Sequence, residues 1–323
     1  MLNVDRRQFL TSAGAGGMAA IGAGGLVQAR EAEPPKGRKR VLRLAHLTDV
    51  HVQPELNAPK GMAACLEHVQ GQGDKPELIL FGGDCVMDSF GQTRARTQTQ
   101  WDLWHKLLQD HCSLPWEGCI GNHDVWGWSK SRSGATGEEK EFGKQWATEA
   151  LRMSHRYRSF VRAGWKFIVL DSTHPGPQPE TYTAKLDNEQ FDWLAAEVAG
   201  TPKTTPILIL SHIPIFSASP FLDGLNEKSG NWNVPGAWMH IDARKLIGLF
   251  HEHGNVKICL SGHIHLADRV DYLGTTYYCN GAVCGGWWKG KYQQFGEGYA
   301  LVDLYDDGTT ACEYITYGWK AQA

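Results

Sequence analysis

The sequence predicts an α/β domain of two β-sheets with helices on the outside. Three observations predict it. Short apolar runs rich in Ile, Leu and Val recur along the chain and end in Gly, Ser, Asp or His. Helical patterns stopped by glycine lie between some of them. The C-terminal quarter alternates apolar and polar residues as β-strands do. Strands with intervening helices first and hairpins last fit one layered domain.

Taken in order, the strand-like runs are "VLRLAHLTD" (41–49), "ELILFGGD" (77–84) and an apolar run closing at the glycine of "CIGNHDVW" (119–126). "KFIVLDS" (166–172), "PILILSH" (206–212) and "VKICLSGH" (256–263) follow. Trp101 and Trp104, three residues apart, read as the core face of a helix, and Trp193 likewise. "LDNEQFDWLAAEVAG" (186–200) and "HIDARKLIGLFHEHG" (240–254) read as helices. The tail gives "DRVDYLG", "TTYYCNG", "GYALVDLYDDG" and "TACEYITYG" as strands. Two long irregular connections, 125–155 and 213–238, are candidates for functional loops. The domain is expected over residues 41–319, with no internal repeat.

The N-terminus reads differently. Arg6 and Arg7 in "VDRRQFL" precede a Gly/Ala-rich, mildly apolar run ending in Val27-Gln28-Ala29. This pattern predicts a twin-arginine signal peptide over residues 1–29, cleaved after Ala29. The competing explanation is an ordinary arginine pair before a flexible linker. The run is too short and glycine-rich for a membrane span. The expected partner is the twin-arginine export machinery, and the expected location is the periplasm or the exterior. "REAEPPKGRKR" (30–40) reads as a solvated linker.

Of 323 residues, 42% are hydrophobic, enough for a substantial core, and the formal charge of -3 gives no reason to expect nucleic acid or an anionic membrane as partner. The eight cysteines include no C-x-x-C pair. Several lie in apolar strand runs, and folding before export means folding in a reducing compartment, so mostly buried free thiols are expected. Cys279/Cys284 and Cys112/Cys119 are the pairs worth checking.

Five polar clusters stand at strand ends: Asp49 with His51, Asp84, Asn122 with His123, His212, and His263 with His265. Singly, each has a plain explanation as a cap, a turn residue or a satisfied core histidine. Together they offer only oxygen and nitrogen donors, a set suited to Mn, Fe, Zn or Co. Residues i and i+2 of an extended strand share a face, so Asp49/His51 and His263/His265 are expected to chelate as strand pairs. Seven ligands are too many for one ion with an open position, and suffice for two if a carboxylate bridges.

The ordered set D-x-H, G-D, G-N-H-[DE], H, G-H-x-H resembles the calcineurin-like metallophosphoesterase superfamily, over residues 49–265. "LDNEQFDWLAAEVAG" followed by "ILILSHIPIF" is locally similar to the branch that includes the class III cyclic-nucleotide phosphodiesterases. The resemblance implies a four-layer α/β/β/α sandwich of two mixed sheets, with two divalent or trivalent ions (Mn, Fe or Zn) at the strand ends. It implies that Asp49, His51 and His265 hold one ion, that Asn122, His212 and His263 hold the other, and that Asp84 bridges. His123 would be the non-ligand histidine facing substrate. Asp124 would orient His123 or its loop.

The chemistry implied is hydrolysis of a small phosphate ester, with diesters favoured. Two ions neutralise the ester's charge and hold a bridging hydroxide that attacks phosphorus, and His123 protonates the leaving oxygen as general acid. The first alternative is a phosphomonoesterase akin to purple acid phosphatases, which carry a tyrosine three residues after the bridging aspartate. Here that position is Met87. The second is a non-catalytic scaffold, a reading weakened by the presence of every ligand and His123. Asp171, Ser172 and His174 read as a strand-end turn. Trp126, Trp128, Trp232, Trp238, Trp287 and Trp288 sit near ligand clusters, where aromatic walls could grip an organic group.

Overall fold

Sheet formation in the computed structural model, which describes residues 37–321, begins at β1 (Arg40–Leu47). Ahead of it, Arg38 reaches Thr309 and Lys39 exchanges hydrogen bonds with Asp306. Residues 38–40, expected in the linker, therefore belong to the fold. The twin-arginine segment (1–29) and most of the linker lie outside the described residues.

The first sheet combines β1 with β2 (Leu78–Phe81), β3 (Trp116–Gly118), β12 (Gly298–Tyr305) and β13 (Thr310–Thr316), in the order β13-β12-β1-β2-β3. The β1-β2 and β2-β3 pairs are parallel, whereas β1-β12 and β12-β13 are antiparallel. The second sheet runs β10-β11-β9-β8-β5-β4, from β4 (Arg158–Arg162), β5 (Trp165–Val169), β8 (Ile207–Leu210), β9 (Val256–Ser261), β10 (Asp268–Tyr272) and β11 (Thr275–Cys279). Its centre is parallel and its two outer pairs, β4-β5 and β10-β11, are antiparallel. A small ribbon, β6 (Thr173–Pro175) with β7 (Tyr182–Ala184), stands apart.

Strand alternation builds two cores from one sheet. Leu208 and Leu210 of β8 join the core shared with the first sheet, together with Leu44, Phe81, Phe167 and Leu260. Their neighbours Ile207 and Ile209 face the other way, into a core with Leu194, Val198, Leu246 and Phe250. Those last four residues come from α5 (Asn188–Ala199) and α6 (Ala243–His253). On the outer face of the first sheet lie α1 (Ala58–Gln70) and α2 (Arg94–His111), the latter presenting Trp101 and Trp104, both fully buried. The result is the two mixed sheets with outer helices that the sequence predicts. The tail strands do not form a sheet of their own: β12 pairs with β1, and β11 with β9.

Element ends follow local chemistry. The Asp187 side chain accepts the Gln190 amide and caps α5, an interaction worth about 1 kcal/mol. At the end of α6, Gly254 adopts a left-handed φ of 70° and returns its amide to Phe250. The 125–155 connection contains two short helices, α3 (Lys130–Ser133) and α4 (Gln145–Ala150). Lys144 anchors it through an ion pair to buried Asp171 at 2.5 Å, which Arg156 shares at 2.8 Å. Asp171 is thus structural. Among the described residues no helix is long and apolar enough to cross a membrane. Six of the eight cysteines are buried.

Candidate metal centre

Each strand of the pair of sheets that carries a candidate ligand stops short of it. β1 ends at Leu47 and β9 at Ser261, so Asp49, His51, His263 and His265 lie in the loops beyond. Strand alternation therefore does not operate on these pairs, and His263 and His265 do not chelate together: His263 groups with Asp84 and His212, and His265 with His51. Asp49, His51, Asp84, His263 and His265 all have left-handed backbones, with φ of 55°, 47°, 51°, 73° and 60°. Such a conformation costs an L-residue roughly 1–2 kcal/mol, and Asp, Asn and His tolerate it best. Cross-strand hydrogen bonds hold the loops in this shape. Asp49 N–H donates to Gly83 O at 3.1 Å, His51 N–H to Asp84 O at 2.9 Å, and Gly262 N–H to His212 O at 3.0 Å. Side chains would not fit at two crossings: a Cβ on Gly121 would lie 2.1 Å from Asp84 Oδ1, and one on Gly262 would lie 2.0 Å from Thr48 Oγ1.

The ligand atoms converge. His51 Nε2 and His265 Nε2 are 3.2 Å apart, and His265 Nε2 is 3.4 Å from Asp49 Oδ1. His212 Nε2 is 3.2 Å from both Asn122 Oδ1 and Asp84 Oδ2. The same Asp84 oxygen is 3.6 Å from His51 Nε2. His263 groups with Asp84 and His212. All seven expected ligands therefore meet in one place, in two sets that share Asp84.

The environment fits cations. His265 Nδ1 donates to Gly285 O at 2.6 Å and His212 Nδ1 to Gly82 O at 2.7 Å, which turns each ring's Nε2 inward. Lone pairs and carboxylates that face one another in a buried site repel unless a positive charge lies between them. Asp49 Oδ1 is buried with no hydrogen-bond partner, as expected of an atom reserved for a cation. Asp49 Oδ2 is held by Thr48 Oγ1 (2.6 Å) and His263 N–H (2.8 Å). Burial, then the neighbouring His123, pushes His51 down to about 3; burial, then His212, does the same to His263. Both rings are neutral and ready to bind. Burial opposes charge on His212, but Asp84 and Asp49 lift it to about 9, since the two carboxylates favour positive charge at this position.

His123 stands beside the centre, about a third exposed, with its ring edge-on to His51 at 4.7 Å. Its Nδ1 donates to Met87 O at 2.7 Å, leaving Nε2 free. Met87, the residue where purple acid phosphatases carry tyrosine, thus contributes a carbonyl that fixes His123. Asp124 orients the loop. Its carboxylate accepts the amides of Cys85 (2.8 Å), Val86 (3.3 Å) and Gly121 (2.9 Å), tying the Asp84 loop to the Asn122 loop. Burial and the nearby Asp84 charge push Asp124 up to about 7.

Two features were not read from the sequence. Cys284 lies within ligand distance of His51 and His265, because Val283 and Cys284 donate their amides to Thr48 O and Asp49 O. Burial raises its pKa, so it sits there as a neutral thiol. Tyr182 lines a pocket of about 650 Å3 with Met87, Phe90, Asn122, His123 and Arg132. Burial, then Asp84 and Asp49, raises the Tyr182 pKa and keeps it a proton donor. The tryptophans divide. Trp126 and Trp288 are buried with their indole N–H groups on Gln92 O and His51 O, whereas Trp287 lies tilted against His265, ring centroids 4.5 Å apart.

Comparison with known proteins gives a consistent picture. A family model described as calcineurin-like phosphoesterase matches residues 42–267. A 3',5'-cyclic-nucleotide phosphodiesterase of Nostoc sp. is 24% identical over 86% of this chain and 94% of its own. A cAMP/cGMP dual specificity phosphodiesterase of Mycobacterium tuberculosis is 23% identical over 82% of this chain and 76% of its own. Among solved structures, a dimetal phosphatase from Danio rerio superposes with a TM-score of 0.57 at 14% identity, covering 87% of this chain and all of that one. That last likeness concerns the fold.

Proposed function

This chain belongs to the calcineurin-like phosphoesterase family and is a metal-dependent phosphoric ester hydrolase; from that premise we propose that it cleaves phosphodiesters at a two-ion centre. Asp49, His51 and His265 would hold one ion and Asn122, His212 and His263 the other, with Asp84 available to both sets. The observation that carries this reading is the single Asp84 oxygen at 3.2 Å from His212 Nε2 and 3.6 Å from His51 Nε2. Bound at these ligands, the ions neutralise the phosphoryl charge and supply a hydroxide nucleophile at neutral pH.

The protein's own groups complete the reaction. Met87 O holds His123 by Nδ1, so Nε2 faces the pocket and, in the doubly protonated ring, carries the proton for a leaving ester oxygen. The pocket walled by Met87, Phe90 and Tyr182 gives an organic ester arm room beside that proton. Preference for diesters is supported by the relatives named as cyclic-nucleotide phosphodiesterases and by Met87 in the place of tyrosine. Arg6 and Arg7 serve as the export address, and the twin-arginine machinery carries the folded, metal-loaded protein to the periplasm or beyond.

The test is metal analysis of the purified protein, followed by assay of the Mn-reconstituted enzyme. The substrates are bis(nitrophenyl) phosphate, nitrophenyl phosphate, a cyclic nucleotide and a glycerophosphodiester. Two ions per chain and faster turnover of the diesters are expected. One ion per chain refutes the two-ion centre, and a preference for the monoester makes the protein a phosphomonoesterase.

A further inference from the structure

One wall of the pocket beside the metal centre comes from outside all five ligand clusters. Tyr182 opens β7, which pairs with β6 and places Tyr182 opposite Pro175. The ribbon is tied at its base: Ala184 N–H donates to Gly236 O at 2.7 Å, and Lys185 N–H to Ser172 O at 3.2 Å. Thr183 Oγ1 bonds Gly236 O on the opposite side of the strand, and alternation turns Tyr182 toward the centre. The Tyr182 ring meets His263 edge-on at 6.1 Å and Phe90 at 6.0 Å, and it shares the pocket with Asn122 and His123. Among the described residues nothing bonds its hydroxyl; the side chain is half-buried and the hydroxyl is not one of the buried unpartnered atoms, so it is open to the pocket it lines.

We propose that the Tyr182 phenol donates a hydrogen bond to a non-bridging oxygen of the bound phosphoryl group, making Tyr182 a substrate-contacting residue of this enzyme. The ligand class is a tetrahedral oxyanion, either the phosphodiester or inorganic phosphate. The inference rests on the reading that the phosphoryl group docks at the two-ion centre. A neutral donor suits the position, since the ions would already supply the positive charge. Donation to a non-bridging oxygen also differs from the role of His123. Its contribution is present whatever the leaving group, whereas a general acid matters most for poor leaving groups.

The experiment compares wild type with Tyr182→Phe, which keeps the ring and its contacts with His263 and Phe90. Inhibition by inorganic phosphate is measured alongside kcat and KM for bis(nitrophenyl) phosphate and a glycerophosphodiester. The variant should keep its metal content and thermal stability. A hydrogen bond to a charged group is worth about 1.5–3 kcal/mol, so phosphate inhibition should weaken by at least about 10-fold. Both esters should lose kcat/KM by a similar factor. Unchanged phosphate inhibition and kcat/KM, with wild type active, overturn the proposal alone. A loss confined to the glycerophosphodiester also overturns it, because Tyr182 would then serve the leaving group. A wild type that holds two ions but binds neither phosphate nor diester overturns the phosphoesterase reading of the site, and the proposal with it.

Discussion

Replacing Asp84 by asparagine removes one charge and one lone-pair oxygen from the point where the two ligand sets meet. Asp84 Oδ1 accepts the His123 amide at 2.8 Å, and Oδ2 faces His212 and His51. An asparagine has one acceptor and one donor for these two tasks. If its oxygen keeps the His123 amide, its NH2 points at the ion positions, where no donor is tolerated. If it flips, the NH2 faces the His123 N–H, and a buried donor is lost on each side. The first orientation leaves both ligand sets short by an oxygen; the second keeps an oxygen there but without the negative charge that a shared position between two cations needs. Metal stabilisation of the transition state is worth several kcal/mol, and each 1.36 kcal/mol is tenfold in rate, so a fall of about 10³-fold or more is expected. The assay is metal content per chain by mass spectrometry, paired with turnover of bis(nitrophenyl) phosphate. Two tightly held ions with normal turnover in Asp84→Asn would refute the bridging assignment.

Three further variants test separate parts of the reading. His123→Ala should keep both ions, lose ~10²–10⁴-fold on alkyl esters and far less on nitrophenyl esters; equal losses on both would remove His123 from the acid role. Asp124→Ala strands three buried amides, each costing roughly 1–3 kcal/mol, so stability should fall by about 3 kcal/mol or more, read as a lower urea midpoint; an unchanged midpoint would show that Asp124 does not hold the two loops together. Arg6→Lys combined with Arg7→Lys should leave folded, active, unprocessed protein in the cytoplasm, detected by fractionation, and normal processing of the double variant would rule out the twin-arginine route.

The layered architecture was legible because apolar runs and glycine stops are local signals. "PILILSH" shows why a buried parallel strand is easily seen: both faces are covered, so every position from Ile207 to Leu210 is apolar. Pairing was less legible. "GYALVDLYDDG" alternates no differently from a hairpin strand, yet β12 inserts beside β1 across more than 250 residues of chain. No local pattern encodes that partner. The helix α1 gives a weak signal too, since its first turn includes a proline and its cap residue Asn57 makes no side-chain cap. Packing against α2 and the first sheet sustains it, and packing is invisible in a single sequence.

The candidate site was legible for a different reason from the one that makes it work. Its residues can be picked out because five short clusters occur in a fixed order, and that order reports ancestry. The physical mechanism offered for them, two residues sharing a strand face, does not operate: Asp49, His51, His263 and His265 all lie past the strand ends in left-handed turns. A strand spaces same-face side chains nearly 7 Å apart at their bases, from its rise of about 3.3 Å per residue. Here left-handed turns set the donors instead: Asp49 Oδ1 lies 3.9 Å from His51 Nε2, and His265 Nε2 comes in from the other loop at 3.4 and 3.2 Å from them. The strain is borne by amides of neighbouring loops, which explains why glycines cluster there: Gly121 and Gly262 let one loop's backbone touch the next loop's carboxylate. Tyr182 had no such signature. It lies in "TYTAKL", outside every motif, and reaches the centre only because a two-stranded ribbon, fastened at Gly236 and Ser172, carries it there. Ion ligands are therefore marked in the sequence by the strained loops they need, whereas a residue that touches only substrate is marked by tertiary placement alone.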